Sequence, residues 1–247
     1  MLLRLRSGGL VVPVFDRAWR NEQPHLPCEE VTACRACPRL VAWREAQAAV
    51  VPRRFRSWVA EHGFWGRPVE AFGDPDPWLA IVGLAPAAQG ANRTGRMFTG
   101  DRSGDFLYAA LHRAGLANQP ASTHRGDGLR LVGVCITASL RCAPPGNRPL
   151  GEELRRCRPF LARDLATWPR LRVVLCLGSL AHNAALAVLR TGGSEQRPAF
   201  QHGAWVAVDD GLWLVDSYHV SQQNTFTGRL TPEMLDRVLS RCLALQA

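Results

Sequence analysis

The sequence predicts a single α/β domain built on a parallel sheet, with helices covering both faces. Three observations lead there. Short, nearly continuous apolar runs at 78–83, 130–137, 172–177 and 212–217 have the length and composition of strands buried on both sides. Segments with helical periodicity alternate with them, at 103–115, 151–166, 179–190 and 231–245, and such alternation argues for parallel pairing through crossovers. The 247 residues contain no internal repeat or low-complexity tract, and 47% are hydrophobic, enough for one full core.

Along the chain, residues 1–27 lack clear periodicity and form a Pro-containing segment ahead of a domain running from 28 to 247. The apolar run Gly9-Leu-Val-Val-Pro-Val-Phe15 is too short and too interrupted for a membrane span or a signal peptide. A cytoplasmic location is therefore the expectation. Cys34-Arg-Ala-Cys37-Pro38 leads into a basic, mostly helical stretch over 39–61. Residues 204–208 read as an extra strand, hairpinned onto 212–217 through Asp209-Asp-Gly211.

Ligands of parallel sheets collect beyond the carboxyl ends of the strands. Polar loops follow three of the strands, at 83–101, 139–147 and 218–226, and should meet on one edge. The first reads GLAPAAQGANRTGRMFTGD. Its Gly and Ala residues let backbone amides approach a ligand closely, Phe98 offers a stacking face and Asp101 a charge. A flat, polar ligand suits it. Each candidate also has a structural alternative: Asp101 as a helix N-cap, Phe98 in the core, Asn147 shaping its Pro-Pro-Gly turn, and His219 as a satisfied histidine ending a strand.

The formal net charge is +9, and all 30 basic residues are Arg. This surplus favours a polyanionic partner, nucleic acid above all, against the alternative of a merely solvated basic surface. With no Lys, no ε-amine is available for a Schiff base with substrate. Of the eight Cys, Cys135 and Cys176 sit in strand-like runs and Cys242 in a helical one, where thiols pack as small apolar groups. Cys34 and Cys37, two residues apart, and Cys142 and Cys157 in a turn and on a helix, form two pairs suited to tetrahedral Zn or an iron–sulfur cluster. Spacing does not choose between these. Cys28 is a substitute ligand.

Taken together, these residues resemble the uracil-DNA glycosylase superfamily and, within its iron–sulfur branch, family 5 (type b). The resemblance rests on the 83–101 loop, on Arg141-Cys-Ala-Pro-Pro-Gly-Asn147, on His219-Val-Ser-Gln-Gln-Asn-Thr-Phe-Thr-Gly-Arg229 and on Cys34 and Cys37, and it covers the chain from about 28 onward. It implies a four-stranded parallel sheet and a 4Fe–4S cluster, regarded as structural, on Cys34, Cys37, Cys142 and Cys157. It implies that Asp101 activates water or stabilises the sugar cation, that His219 donates to the leaving base and that Asn147 assists. Gly83, Ala85 and Phe98 would hold the base, while Gln222, Gln223, Asn224 and Arg229 would engage DNA.

The implied activity is that of a monofunctional, monomeric DNA glycosylase with no membrane role. It would remove uracil, and also hypoxanthine or ethenocytosine, leaving an abasic site for base excision repair. Family 4 relatives carry an Asn before the third Cys that reads the uracil edge. Here the stretch is Thr137-Ala138-Ser139, which agrees instead with family 5, whose members accept several damaged bases. The alternative is a non-enzymatic nucleic-acid-binding protein stabilised by Zn or an iron–sulfur cluster.

Overall fold

A computed structural model describes residues 31–189, 198–209 and 211–246. The segment 1–27 and Cys28 lie outside the described residues. Among the described residues, six strands, β1 (Phe72–Gly73), β2 (Leu79–Gly83), β3 (Val134–Ala138), β4 (Val173–Leu177), β5 (Trp205–Asp209) and β6 (Leu212–Ser217), form one sheet. Their order is β1-β3-β2-β4-β6-β5. The four central strands are parallel, as the apolar runs require. The sheet is nonetheless mixed, because β1 and β5 pair antiparallel with β3 and β6 at its two edges. β5 is the expected hairpin strand, whereas β1 is unexpected.

Among the described residues, eight helices surround it: α1 (Pro38–Ala46), α2 (Arg56–His62), α3 (Ala91–Thr94), α4 (Arg102–Arg113), α5 (Gly151–Thr167), α6 (Ser179–Leu189), α7 (Gln222–Phe226) and α8 (Pro232–Ala244). The expected mostly helical stretch over 39–61 holds α1 and α2. Successive strand residues point to opposite faces, which splits each central strand between two cores. Leu79 and Ile81 of β2 and Val173, Leu175 and Leu177 of β4 pack with α4 and α8 through Leu107, Leu111, Leu235 and Leu239. Ala80, Val82, Val174 and Cys176 pack on the opposite face with Leu161 and Leu165 of α5 and Ala181 and Ala185 of α6. Cys135 and Cys176 belong to this second core, and Cys242 to the first, as their apolar settings predict.

The chain leaves β2 to form β3 on one side and then crosses back to form β4 on the other. β2 is therefore the point where strand order reverses, and loops at its carboxyl end diverge to leave a crevice. A smaller apolar cluster, with Leu40, Leu140, Cys142 and Cys157, joins α1 to the loop after β3 and to α5.

Candidate active site

The three polar loops do converge. A cavity of about 450 Å³ is walled by Ala85, Phe98 and Asp101 from the first loop, Asn147 and Arg148 from the second, and His219 and Gln223 from the third. Six sequence candidates are thus brought together: Ala85, Phe98, Asp101, Asn147, His219 and Gln223. Gly83 is not on the wall. Its carbonyl accepts from the Ser139 N–H (2.9 Å) and hydroxyl (3.1 Å), and its missing side chain seats the Phe98 ring, whose Cζ would lie 2.9 Å from a Cβ there. Gln222, Asn224 and Arg229 are also off the wall. The Asn224 amide donates to the His219 carbonyl at 2.8 Å, fixing the turn that presents the imidazole, and Arg229 lies over the Tyr218 ring at 4.6 Å.

Among the described residues, only two non-glycine residues have positive φ, Phe98 (+52°) and Asn147 (+56°). Both face this cavity. A left-handed backbone is tolerable for Asn but costs a bulky residue such as Phe on the order of 1–3 kcal/mol, strain that clusters at functional sites. The Phe98 ring is tilted 41° to His219, with centroids 6.2 Å apart.

Asp101 caps α4: its Oδ1 accepts from the Gly104 N–H at 3.0 Å. The capping alternative is therefore true, and it orients the carboxylate without using it up. A Cβ on Gly90 would overlap Asp101 Oδ2, so glycine there keeps that oxygen in place. Burial pushes the Asp101 carboxyl above its ordinary pKa, against the amides of Gly104 and Ser103, which stabilise the anion. Burial alone pushes His219 down, which leaves a neutral imidazole that can donate one N–H.

The first loop is not as bare as its Gly and Ala content suggests. Its second half is stapled from below by buried polar side chains. Arg96 makes a bidentate pair with Asp127 (2.9 and 2.6 Å) and donates to Ser122 and Thr99. Although burial opposes its ionisation, Asp127 is held at a pKa of about 2 by Arg96 and by the Thr123 and Leu129 amides. Arg93 donates to the carbonyls of Gln89 (2.8 Å) and Gly100 (2.9 Å), Asn92 to that of Arg44 (3.1 Å), and Tyr108 to that of Met97 (2.9 Å). Sequence reasoning passed over Arg93, Arg96, Arg148 and the 67% exposed Phe226. For Arg148 the signal was adjacency to Asn147; for Phe226 it was a large apolar residue in a polar loop.

Cys34, Cys37, Cys142 and Cys157 line one small cavity beside that satellite cluster. Among the described residues, no group of three or more His, Cys, Asp or Glu is placed to hold a single metal ion. Cross-links tie the two cysteine-bearing regions: Arg39 of α1 is bidentate to Glu153 of α5 (2.8 Å each), and Arg156 donates to the Ala36 carbonyl (3.1 Å). Burial raises the Cys142 thiol, with Arg44 opposing, and takes Cys157 to about 12, with Arg141 opposing. Arg44 Nη1 donates to Cys142 Sγ at 2.8 Å and the Arg141 amide to Cys157 Sγ at 3.2 Å. Arg44 Nε and Arg141 Nε and Nη1 are buried without a partner among the described residues. Four soft thiol donors ringed by spare cationic donors fit an anionic thiolate-bound centre.

The family model described as the uracil DNA glycosylase superfamily matches residues 70–242. Over 212 residues the chain is 52% identical to a type-5 uracil-DNA glycosylase of Mycobacterium tuberculosis, covering 84% of this chain and 76% of the relative. It is 51% identical to the type-5 protein of Thermus thermophilus over 211 residues (85% and 93% covered) and 45% identical to that of Pyrobaculum aerophilum over 211 residues (85% and 88%).

Proposed function

We propose, from the premise that this chain belongs to the type-5 branch of the uracil-DNA glycosylase superfamily, that it hydrolyses the N-glycosidic bond of uracil in DNA. The observation that carries the reading is one cavity that joins a raised carboxyl, a neutral imidazole and an aromatic face held in a strained backbone. A base inside a duplex must be turned out of the stack, at a cost of a few kcal/mol. Stacking on Phe98 returns about 1–3 kcal/mol of it. The exposed Phe226, on the loop that carries His219, is suited to fill the gap left in the duplex.

As the glycosidic bond lengthens, the sugar gains oxocarbenium character and the base gains negative charge. The Asp101 carboxylate, held by the α4 cap and the space above Gly90, stabilises the sugar cation and accepts a proton from the attacking water. His219, neutral because it is buried, donates its N–H to the departing base oxygen, and Asn147 supplies a further donor. With no lysine ε-amine available for a Schiff base, the product is an abasic site in an unbroken strand.

We extend the reading to hypoxanthine and ethenocytosine. In support, Thr137, Ala138 and Ser139 carry no side-chain amide for a uracil edge, and the Thr137 and Ser139 hydroxyls are already engaged by Asp164 (2.7 Å) and the Gly83 carbonyl. Cys34, Cys37, Cys142 and Cys157 are the residues that would hold a 4Fe–4S cluster, and their arrangement around a cavity rather than one point supports a cluster over a single Zn. Bound there, the cluster would supply a covalent brace between α1, the loop after β3 and α5. No helix of the described residues is long and apolar enough to cross a membrane. The proposal is of a monomer acting on DNA in the cytoplasm, within base excision repair. Incubation with oligonucleotides carrying uracil, hypoxanthine or ethenocytosine, followed by alkali, tests it: strand cleavage should need the alkali, and no cleavage with any base would refute the reaction.

A further inference from the structure

The catalytic loop has a second face. Behind it lies another cavity, of about 490 Å³, whose lining carries Arg67, Arg93 and Arg125 and no carboxylate. Its aromatic walls form a run of ring faces. Trp58 meets His62 at 4.7 Å between centroids, and His62 stacks on His124 at 4.5 Å with the planes 9° apart. Trp65 stands under the guanidinium of Arg125, 4.3 Å from the ring centroid. The segment that bears Trp65 is hydrogen-bonded to the catalytic loop itself, through Trp65 N–H to the Arg93 carbonyl (2.9 Å) and Gly66 N–H to that of Asn92 (3.0 Å).

Arg93 points to a ligand. Its side chain is only 2% exposed and lies 4.2 Å from the ring centroids of both Phe55 and Trp58. Nε and Nη2 are satisfied by loop carbonyls, yet Nη1 has no partner among the described residues. A buried cationic donor left unsatisfied costs free energy unless something anionic reaches it. Aromatic faces combined with unpaired arginines are the chemistry of unstacked bases and their phosphates.

We propose that this cavity binds an unpaired nucleotide of the DNA strand, with its base against Trp58 and its phosphate shared by Arg93 and Arg125. The inference rests on the proposed action on DNA and adds a second strand-binding site, outside the excision cavity. Because the Arg93 side chain spans the loop from this cavity to the Gly100 carbonyl, a strand seated there lies directly behind Asp101.

The test uses undamaged DNA, so that excision does not enter the readout. The full-length chain is titrated with a short single-stranded oligothymidylate across a salt series, following tryptophan fluorescence. Binding should quench the fluorescence, and Trp58→Ala should weaken it roughly 5- to 150-fold, the range of one lost base stack. Trp58→Phe should restore most of the loss. Arg125→Ala, at an exposed position that needs no refolding of the core, should lower the slope of log K against log salt by about 0.7. Arg170→Ala, at the amino-terminal end of β4, should not.

Wild-type affinity and slope in both cavity variants would overturn the proposal, as would an equal loss in Arg170→Ala. Thymidine monophosphate binding as tightly as the oligonucleotide would overturn the strand assignment. Excision of uracil by the wild-type chain is followed in parallel. No excision with normal oligothymidylate binding defeats the proposed reaction and leaves this site standing, whereas excision with unaffected variants defeats only the site.

Discussion

Asp101→Asn separates the capping role of this side chain from the catalytic role proposed for it. The variant keeps the shape and a carbonyl oxygen for the Gly104 N–H, and Asn caps helices about as well as Asp. What it removes is the charge. A unit charge about 4 Å from another is worth about 4 kcal/mol at an effective dielectric constant near 20, and a sugar carrying about half a positive charge would feel about 2 kcal/mol. Excision should therefore slow by roughly 30-fold, rising toward about 1,000-fold if the sugar carries a full unit charge. Stability should move the other way. Because burial raises the Asp101 pKa in the folded state, its contribution is present below the unfolded pKa and lost as pH rises through the folded one. Above the folded pKa the protein carries an anion it disfavours, so there the Asn variant should melt no lower than wild type. Wild type should gain on the variant as the pH falls into the ordinary carboxylate range. Single-turnover excision of a uracil oligonucleotide and thermal melting at neutral and acidic pH supply the two readouts. Wild-type excision rates in the variant would refute the catalytic role, and a lower neutral melting temperature with lost activity would reduce Asp101 to its cap.

Three further outcomes are expected. The excision rate should fall on the acid side as Asp101 takes up a proton above the usual carboxylate range, with no inflection from His219 near neutrality, because burial keeps that imidazole neutral; a rate that rises on acidification would contradict both assignments. Gly90→Ala places a Cβ on Asp101 Oδ2 and should cost at least tenfold in excision (about 1.4 kcal/mol) with DNA affinity retained; normal rates would mean that the carboxylate need not sit where it does. Cys142→Ala should abolish visible absorbance near about 400 nm from sulfur-to-iron charge transfer and destabilise the α1–α5 junction, whereas a colourless wild-type protein holding stoichiometric Zn after anaerobic purification would end the iron assignment.

The central strands were legible because burial on both faces leaves no polar positions to blur them, and the long helices because their periodicity runs for three turns or more. β1 was not: two residues carry no period, and Phe72 and Gly73 become a strand only by pairing with Ile136 and Cys135, far along the chain. The third strand begins at Val134 instead of 130, since Asp74 accepts from the Gly133 N–H and Leu131 is diverted to bridge Ala117. α3 and α7, of four and five residues, are hidden in loops whose composition reads as irregular. Local motifs pointed to Asp101, Phe98, Asn147 and His219, which line one cavity. Arg93 and Arg96 escaped because their work depends on rings and a carboxylate brought in by folding: Phe55, Trp58 and Asp127.

The staple beneath the catalytic loop bears on which partner moves. An arginine pair buried against Asp127, Gln89 and Gly100 cannot swing away without exposing its guanidinium groups and abandoning several hydrogen bonds at once. The amides of residues 93–101 should accordingly exchange with deuterium on the timescale of the surrounding core. On the proposed reading, the cavity of Asp101 and His219 is then a fixed mould, open before DNA arrives, and the rearrangement that would bring a nucleotide to Asp101 falls to the duplex.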